Sequence, residues 1–304
     1  MDRFEAMTMF LAAIDKGSLS AAARELRVPV PTLSRKVAEL ESKLGTQLLL
    51  RTSRKLALTD AGLSYARKAR QILEQVDEAE REAAGEFRTP RGELVLTAPL
   101  LFGRLHLIPV VSDFLELYPE VSVRVALGDR NVNLIDDNID MAVRIGALPD
   151  SSLIATKIGP MRAVTCASPA LLDRVGIPKA PEEMRDLPCL TTEIQTRLAA
   201  WNFRSPETGG GFDVPIRPRL SGSAEAVLAA ASRGLGFAKL RYYQVFDAVR
   251  GGRLRIVLPD YEPAPAPVHL IHAPRGHMPL KMRLFLDFAA PRLRATLQAI
   301  ASAG

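Results

Sequence analysis

The spacing of apolar positions divides the chain into a helical front, one long narrow stripe, and a stretch of alternating strands and helices. Phe4, Met7, Phe10, Leu11 and Ile14 recur at helical intervals and predict a first helix. Ala21, Ala22, Ala23 and Leu26 predict a short second helix that Val28-Pro29-Val30 breaks, and Pro31 suits the first turn of a third. In that third helix Leu33, Val37, Leu40 and Leu44 share one buried face, which leaves Thr32, Ser34, Arg35, Lys36 and Ser42 facing outward. Apolar runs on either side of Arg51-Thr52-Ser53-Arg54-Lys55 predict a β-hairpin over 47–59 with a charged tip. From Asp60 to Arg88 there is no proline, and Tyr65, Ala69, Ile72, Val76, Ala79 and Ala83 repeat at alternating steps of 4 and 3. So narrow a seam on one long helix predicts contact with a second subunit rather than packing on its own domain. Thr89-Pro90-Arg91-Gly92 ends the helix as a linker.

Beyond Gly92 the pattern is α/β. Strands are predicted at 93–97, 121–127 and 139–145, with a helix over 99–118 kinked near Pro109 and a short helix over 131–138. A second unit follows. Strands fall near 153–158, 162–167 and 189–192, a helix opened by Ser168-Pro169 is closed by Gly176, and a hairpin spans 201–216. A helix over 224–233, strands at 236–240 and 268–272, and a helix from Leu280 onward complete the chain.

Charge adds direction to the helical front. Between Arg24 and Lys55 stand eight basic residues (Arg24, Arg27, Arg35, Lys36, Lys43, Arg51, Arg54, Lys55) and three acids, a surplus of five against a net charge of +6 for all 304 residues. Nearly all the excess sits on the segment whose third helix begins with short hydroxyls and an arginine. Arginine can bond guanine bidentately, serine and threonine reach base edges or phosphates, and clustered cations match a phosphate backbone. The segment reads as a recognition helix followed by a wing for double-stranded DNA.

The remaining chemistry is sparse. Cys166 and Cys189 fit a reducing compartment, and Cys166 in the alternating run AVTCA reads as a buried strand position rather than a redox switch. His269 and His272 point to opposite faces of one strand and make a poor metal pair, so no metal site and no cofactor are expected. No apolar run suits a signal peptide or a membrane span, and a cytoplasmic protein without membrane contact is expected. No nucleophile elbow, phosphate loop or ordered Ser/His or Cys/His set is found, which argues against an enzyme.

Three segments carry a family resemblance: FEAMTMFLAAIDKGSLSAAARELRVPVPTLSRKVAELESKLGTQLLLRTSRKLALTDAG, GELVLTAPLLFGRLHLIPVVSDFLELYP and NIDMAVRIGALPDSSLIATKIG. Over essentially its full length the chain resembles the LysR-type transcriptional regulators. The resemblance implies a winged helix-turn-helix head over 1–59 and a dimerising linker helix and hinge over 60–91. It also implies a two-lobed α/β regulatory domain over 92–304, similar to periplasmic solute-binding proteins. Lobe I would take 92–161 and 268–304, and lobe II 162–267. Homodimers assembling to a tetramer are implied, with RNA polymerase as a further partner.

Carried over by position, the DNA contacts would be Pro31, Thr32, Ser34, Arg35 and Lys36 on the recognition helix and Arg51, Arg54 and Lys55 on the wing. Pro29 stands where the family often has a serine cap, and Val30 where it often has a polar side chain, which puts the base preference in question rather than the mode of binding. A small-molecule effector is expected between the lobes, beyond the carboxyl ends of strands. Those ends supply Thr97, Ala98, Pro99 and Leu100, then Arg144 and Gly146, then Ser168, Gly222 and Ser223. Helix starts and the Arg144 charge favour an anion there. The plainer alternative makes Ser168 and Ser223 ordinary helix caps and pairs Arg144 with Asp136 or Asp140. An architectural DNA-binding protein without an effector is the competing function.

Overall fold

Asp2 and Ser18 start the first two helices by accepting backbone N–H groups of the first turn, Asp2 from Phe4 at 2.9 Å and Ser18 from Ala21 at 3.4 Å. In this computed structural model, which describes residues 2–51, 56–83, 89–130, 132–148, 152–192, 199–274 and 278–302, they open α1 (Arg3–Asp15) and α2 (Leu19–Glu25). The third helix, α3 (Val30–Leu44), starts on Pro29 without a side-chain cap and stops at Gly45, which takes the left-handed conformation. Phe10, Leu33 and Val37 are fully buried at the centre of this trihelical core. Leu44, expected on the same face, is exposed, because the last turn of α3 runs past the core before Gly45 ends it.

An antiparallel hairpin follows, β1 (Leu49–Arg51) with β2 (Leu56–Leu58), in the register Leu50 to Ala57. Its base is stitched to α4 (Asp60–Ala83): the Thr59 hydroxyl donates to the Gln47 carbonyl at 2.7 Å and accepts from Gly62 N at 2.9 Å. A Cβ at Gly62 would stand 2.0 Å from the Leu48 carbonyl oxygen, so only glycine allows this approach. The first part of the α4 stripe packs inside the head. Tyr65 and Ala69 pack into the head's own core, Ala69 fully buried and the Tyr65 ring edge-on to Phe10 at 5.8 Å. Apolar surface on α1 reaches that part of the helix and claims it.

Residues Met1–Gly92 form one compact unit and Glu93–Gly304 another. The second opens with β3 (Gly92–Ala98), α5 (Leu100–Phe102), one π-helical turn over Gly103–Leu107, α6 (Ile108–Leu117), β4 (Val121–Leu127) and β5 (Met141–Ile145). The irregularity lies just upstream of Pro109, as a proline requires: its ring clashes with the carbonyl four residues back, and the wider π turn absorbs the conflict. No helix forms over the described part of 131–138. Asn133 Oδ1 accepts from Ile135 N at 3.0 Å, Asn138 is left-handed, and this local bonding replaces a helix with turns.

The chain continues through β6 (Ile154–Met161), β7 (Ala163–Ala167), α7 (Pro169–Val175), β8 (Cys189–Thr191), β9 (Ala200–Arg204), β10 (Gly211–Pro215), β11 (Pro218–Ser221) and α8 (Ala224–Ser232). It ends with β12 (Phe237–Arg241), α9 (Tyr242–Arg250), β13 (Arg255–Val257), β14 (Ala266–His272) and α10 (Leu280–Ser302). Two five-stranded mixed sheets result, ordered β4-β3-β5-β14-β6 and β11-β8-β12-β7-β13, with β9 and β10 a separate hairpin. The first sheet, packed on α6 and α10 through Phe114, Phe285 and Leu293, is lobe I. The second, with α7, α8 and α9, is lobe II. Strand β14 returns the chain from lobe II to the middle of the first sheet.

Candidate functional site

On the head, α3 presents Pro31 and Arg35 to solvent, with Thr32 and Ser34 half-buried beside them. Arg35 keeps 67% of its side chain exposed and pairs with Glu39, one turn on, at 3.7 Å. Lys36 differs from expectation: its ammonium is paired with Glu5 of α1 and its side chain is 16% exposed, so it ties two helices together rather than facing outward. The first turn of α3 has no side-chain cap, and its amide dipoles favour a phosphate there. Glu41, read only as a charge in the sequence, fixes the wing: one carboxylate oxygen accepts from Leu48 N at 2.8 Å and Leu49 N at 2.9 Å. Arg54 and Lys55 lie outside the described residues, as do the side chains of Arg51 and Ala83.

Strand register locates the expected effector residues. Two crossovers join the lobes, Met161–Ala163 and the segment entering β14 at Ala266. They are clamped by Arg162, whose guanidinium donates twice to Glu262 at 2.9 Å and lies 5.0 Å from the Tyr242 ring centre. The Glu262 hydrogen bond holds the Arg162 pKa above its ordinary value. Met161 pairs with Ala266, and Val268 with Ile145, so the carboxyl end of β5 lies at the hinge. Strand β3 is parallel to β5, which brings Thr97, Ala98, Pro99 and Leu100 to the same end. In lobe II, β7 leaves the hinge, while β12 runs antiparallel to it and parallel to β8, as does β11. Gly222 and Ser223 therefore also lie at the hinge end. Ser168, at the far end of β7, does not: it stands at the opposite edge of lobe II, and its hydroxyl caps α7 through Leu171 N at 3.2 Å.

Several of the hinge-end groups already have internal partners. The Thr97 hydroxyl donates to the Ala126 carbonyl at 2.6 Å, Ser223 caps Ala226 N at 3.3 Å, and Leu100 N donates to Asp129 at 3.1 Å. Arg144 Nη2 donates to the Val132 carbonyl at 2.9 Å, and Asp140 accepts from Val95 N at 2.9 Å. Burial lowers the Arg144 pKa from its ordinary value. Arg144 also has company that sequence spacing could not reveal. His269 is its cross-strand partner on β14, and Lys157 is the partner of His269 on β6, so all three share one sheet face. Among the described residues His269 Nδ1 is buried without a hydrogen-bond partner, and burial with the Lys157 charge lowers its pKa.

A second group missed in the sequence joins the lobes. Phe102 and His106 of lobe I meet Tyr243 of α9 edge-to-face, with ring centres 5.4 and 5.7 Å apart, and Arg104 reaches Glu225 of α8 at 3.5 Å. Among the described residues His106 Nε2 is buried without a hydrogen-bond partner, and burial lowers its pKa while Asp247 opposes the shift. The cysteines take no part in this chemistry. Cys166 and Cys189 sit on strands separated by β12, roughly 9–10 Å across two strand spacings, too far for a disulfide, and burial raises both thiols to about 12.

Comparison with known proteins agrees with this architecture. Residues 4–63 match the bacterial regulatory helix-turn-helix protein, lysR family, and residues 87–294 match the LysR substrate binding domain. The probable HTH-type transcriptional regulator LtrA of Klebsiella pneumoniae is 33% identical over 293 residues, 95% of this chain and 94% of that protein. Among solved structures, CrgA, a LysR-type transcriptional regulator from Neisseria meningitidis, has a TM-score of 0.61 at 30% identity, covering 95% of this chain and 98% of that one. The full-length Vibrio cholerae virulence activator AphB gives 0.59 at 26%, covering 94% and 98%. Among the described residues no helix is long and apolar enough to cross a membrane. A helix-turn-helix head, a hinge-joined pair of α/β lobes and full-length relatives that regulate transcription rather than catalyse a reaction lead to one assignment: the chain belongs to the LysR family of DNA-binding, effector-binding transcriptional regulators.

Proposed function

We propose that the effector is a small organic anion held between the lobes at the hinge end, and that its binding changes how paired heads engage an interrupted palindrome. The observation that carries this reading is the register, which collects Thr97–Leu100, Arg144–Gly146 and Gly222–Ser223 from two sheets at one end. Arg144 and Lys157, in one row on either side of His269, give that end a positive bias, and the amide groups opening α8 add to it. An anion would draw closed two lobes that already touch through Phe102, His106 and Tyr243.

Dimerisation uses the outer part of α4. Beyond Ala69 the stripe leaves the head core: Ile72 is 38% exposed, Val76 is half-buried and Ala79 is exposed. Two such helices side by side bury these positions, and further contacts make the tetramer. RNA polymerase then reads the change in DNA geometry.

Thermal-shift screening of the full chain tests the ligand class. Small carboxylic acids should raise the melting temperature and amines should not, and Arg144→Ala should abolish the rise. An amine hit, or an acid that stabilises the Arg144→Ala protein equally, contradicts the anion reading. An Ile72→Asp, Val76→Asp double variant that stays folded and keeps its native mass in sedimentation contradicts the α4 seam.

A further inference from the structure

Lobe II carries a second basic concavity, at the edge remote from the hinge. It has a volume of about 490 Å³, with Ala229, Ala230 and Leu235 in its lining and three arginines around it. The arginines come from three elements: Arg174 from the last turn of α7, Arg219 from β11, and Arg233 from the end of α8. Two are held by the turn that follows α8. Arg174 Nη2 donates to the Gly234 carbonyl at 3.0 Å, and Arg219 Nη1 donates to the Leu235 carbonyl at 3.3 Å. Gly234 makes this turn with a φ of +75°, and a Cβ there would stand 3.0 Å from Ser168 Oγ, which ties the concavity to the far end of β7.

Helix capping accounts for only part of this arrangement. The end of α8 carries roughly half a negative charge, and its carbonyls are already met by the N–H groups of Arg233, Gly234 and Leu235. Three full positive charges exceed that need. Among the described residues none of the three arginines has a carboxylate within ion-pair distance, and no acidic residue lines the concavity. Each guanidinium has five N–H donors, so Arg174 and Arg219 keep most of theirs while one fixes the orientation. Three exposed, uncompensated guanidiniums, two of them held in place, around a solvent-open concavity match an oxyanion through charge-assisted, bidentate hydrogen bonds.

We propose that this concavity binds a small, multiply charged oxyanion of the phosphate type, at a site separate from the hinge-end effector. The concavity is open to solvent and wide enough for a phosphorylated small molecule. Isothermal titration of the full chain with pyrophosphate, at ionic strength held constant with chloride, tests it. The wild type should bind one pyrophosphate per chain at this site, and an Arg174→Gln, Arg219→Gln double variant should lose at least tenfold in affinity. Arg35→Ala should leave that binding unchanged, which separates it from the phosphate-contacting head. Should the double variant fold poorly for want of its two carbonyl contacts, Arg233→Gln carries the test: its side chain makes no hydrogen bond among the described residues, and a several-fold loss is expected. Unchanged pyrophosphate affinity in Arg233→Gln overturns the proposal. So does a double variant that loses DNA affinity or native mass while pyrophosphate never binds the wild type, since the patch would then face DNA or a second copy.

Discussion

The head and the hinge end of the regulatory unit use similar residue types in opposite ways. On α3, Arg35 is largely exposed and Pro31 faces solvent, so the surface waits for a partner. At the hinge end, the Thr97 and Ser223 hydroxyls and one Arg144 nitrogen already bond to the protein's own backbone. A DNA surface has to stay open to a large polyanion that supplies its own water-exposed phosphates. A buried ligand site has to keep its polar groups satisfied when empty, because an unpaired buried donor or acceptor costs about 1–3 kcal/mol. If the proposed effector binds there, hydroxyls that now look structural would be the ones it competes for.

That contrast can be broken at four points, the largest first. Arg162→Ala leaves the Glu262 carboxylate, with 13% of its side chain exposed, without its bidentate partner. It should lower stability by about 2–4 kcal/mol, read by urea melts, while the head's DNA contacts stay intact. An unchanged melt would mean that the clamp adds nothing to the hinge. Next, Arg35→Ala should cost about 1–3 kcal/mol of base discrimination in binding assays on selected sites, with no change in melting. A uniform loss across all sequences would assign Arg35 to phosphate alone.

Ser168→Ala should cost about 1 kcal/mol of stability as a lost cap and leave the effector response unaltered. A changed response would return Ser168 to the ligand site. The smallest effect concerns pH. Burial lowers the His106 pKa in the folded chain, so the unfolded chain binds the proton more readily. The stability held by neutral His106 is full above the unfolded value of about 6.5 and is lost as pH falls through the lower folded value. The groups facing His106 include Tyr243 and Asp247 of α9, with Glu225 of α8 beside Arg104. His106→Gln should flatten the fall of the melting temperature between neutral and mildly acidic pH, and an unflattened curve would move the titration to other groups, His269 first.

Much of the head was legible because its signals are local. Apolar spacing gave all of its helices. Lys36 was misread because its partner Glu5 lies 31 residues away, on a helix that only the tertiary fold brings near. The head-core packing of Tyr65 and Ala69 was not legible for a related reason: a narrow apolar stripe has the same periodicity whether its partner is Phe10 or a second subunit. In the regulatory unit, strand ends were found from the pattern, but strand direction was not. Without the antiparallel pairing of β12 with β7, Ser168 could not be separated from Gly222 and Ser223. The same blindness to register hid the row of Arg144, His269 and Lys157, and α9, whose Tyr243 closes the seam between lobes, was not recognised at all.

The most direct test of the account measures DNA affinity with and without a stabilising organic acid, for the wild type and for Arg144→Ala. Coupling between the two sites should change wild-type affinity about 5–150-fold, equivalent to about 1–3 kcal/mol. Arg144→Ala should bind DNA as the wild type does without ligand and show no response to the acid, because the head and the regulatory unit are separate compact units. An Arg144→Ala protein that responds to the acid as fully as the wild type would contradict the placement of an anionic effector at the hinge end.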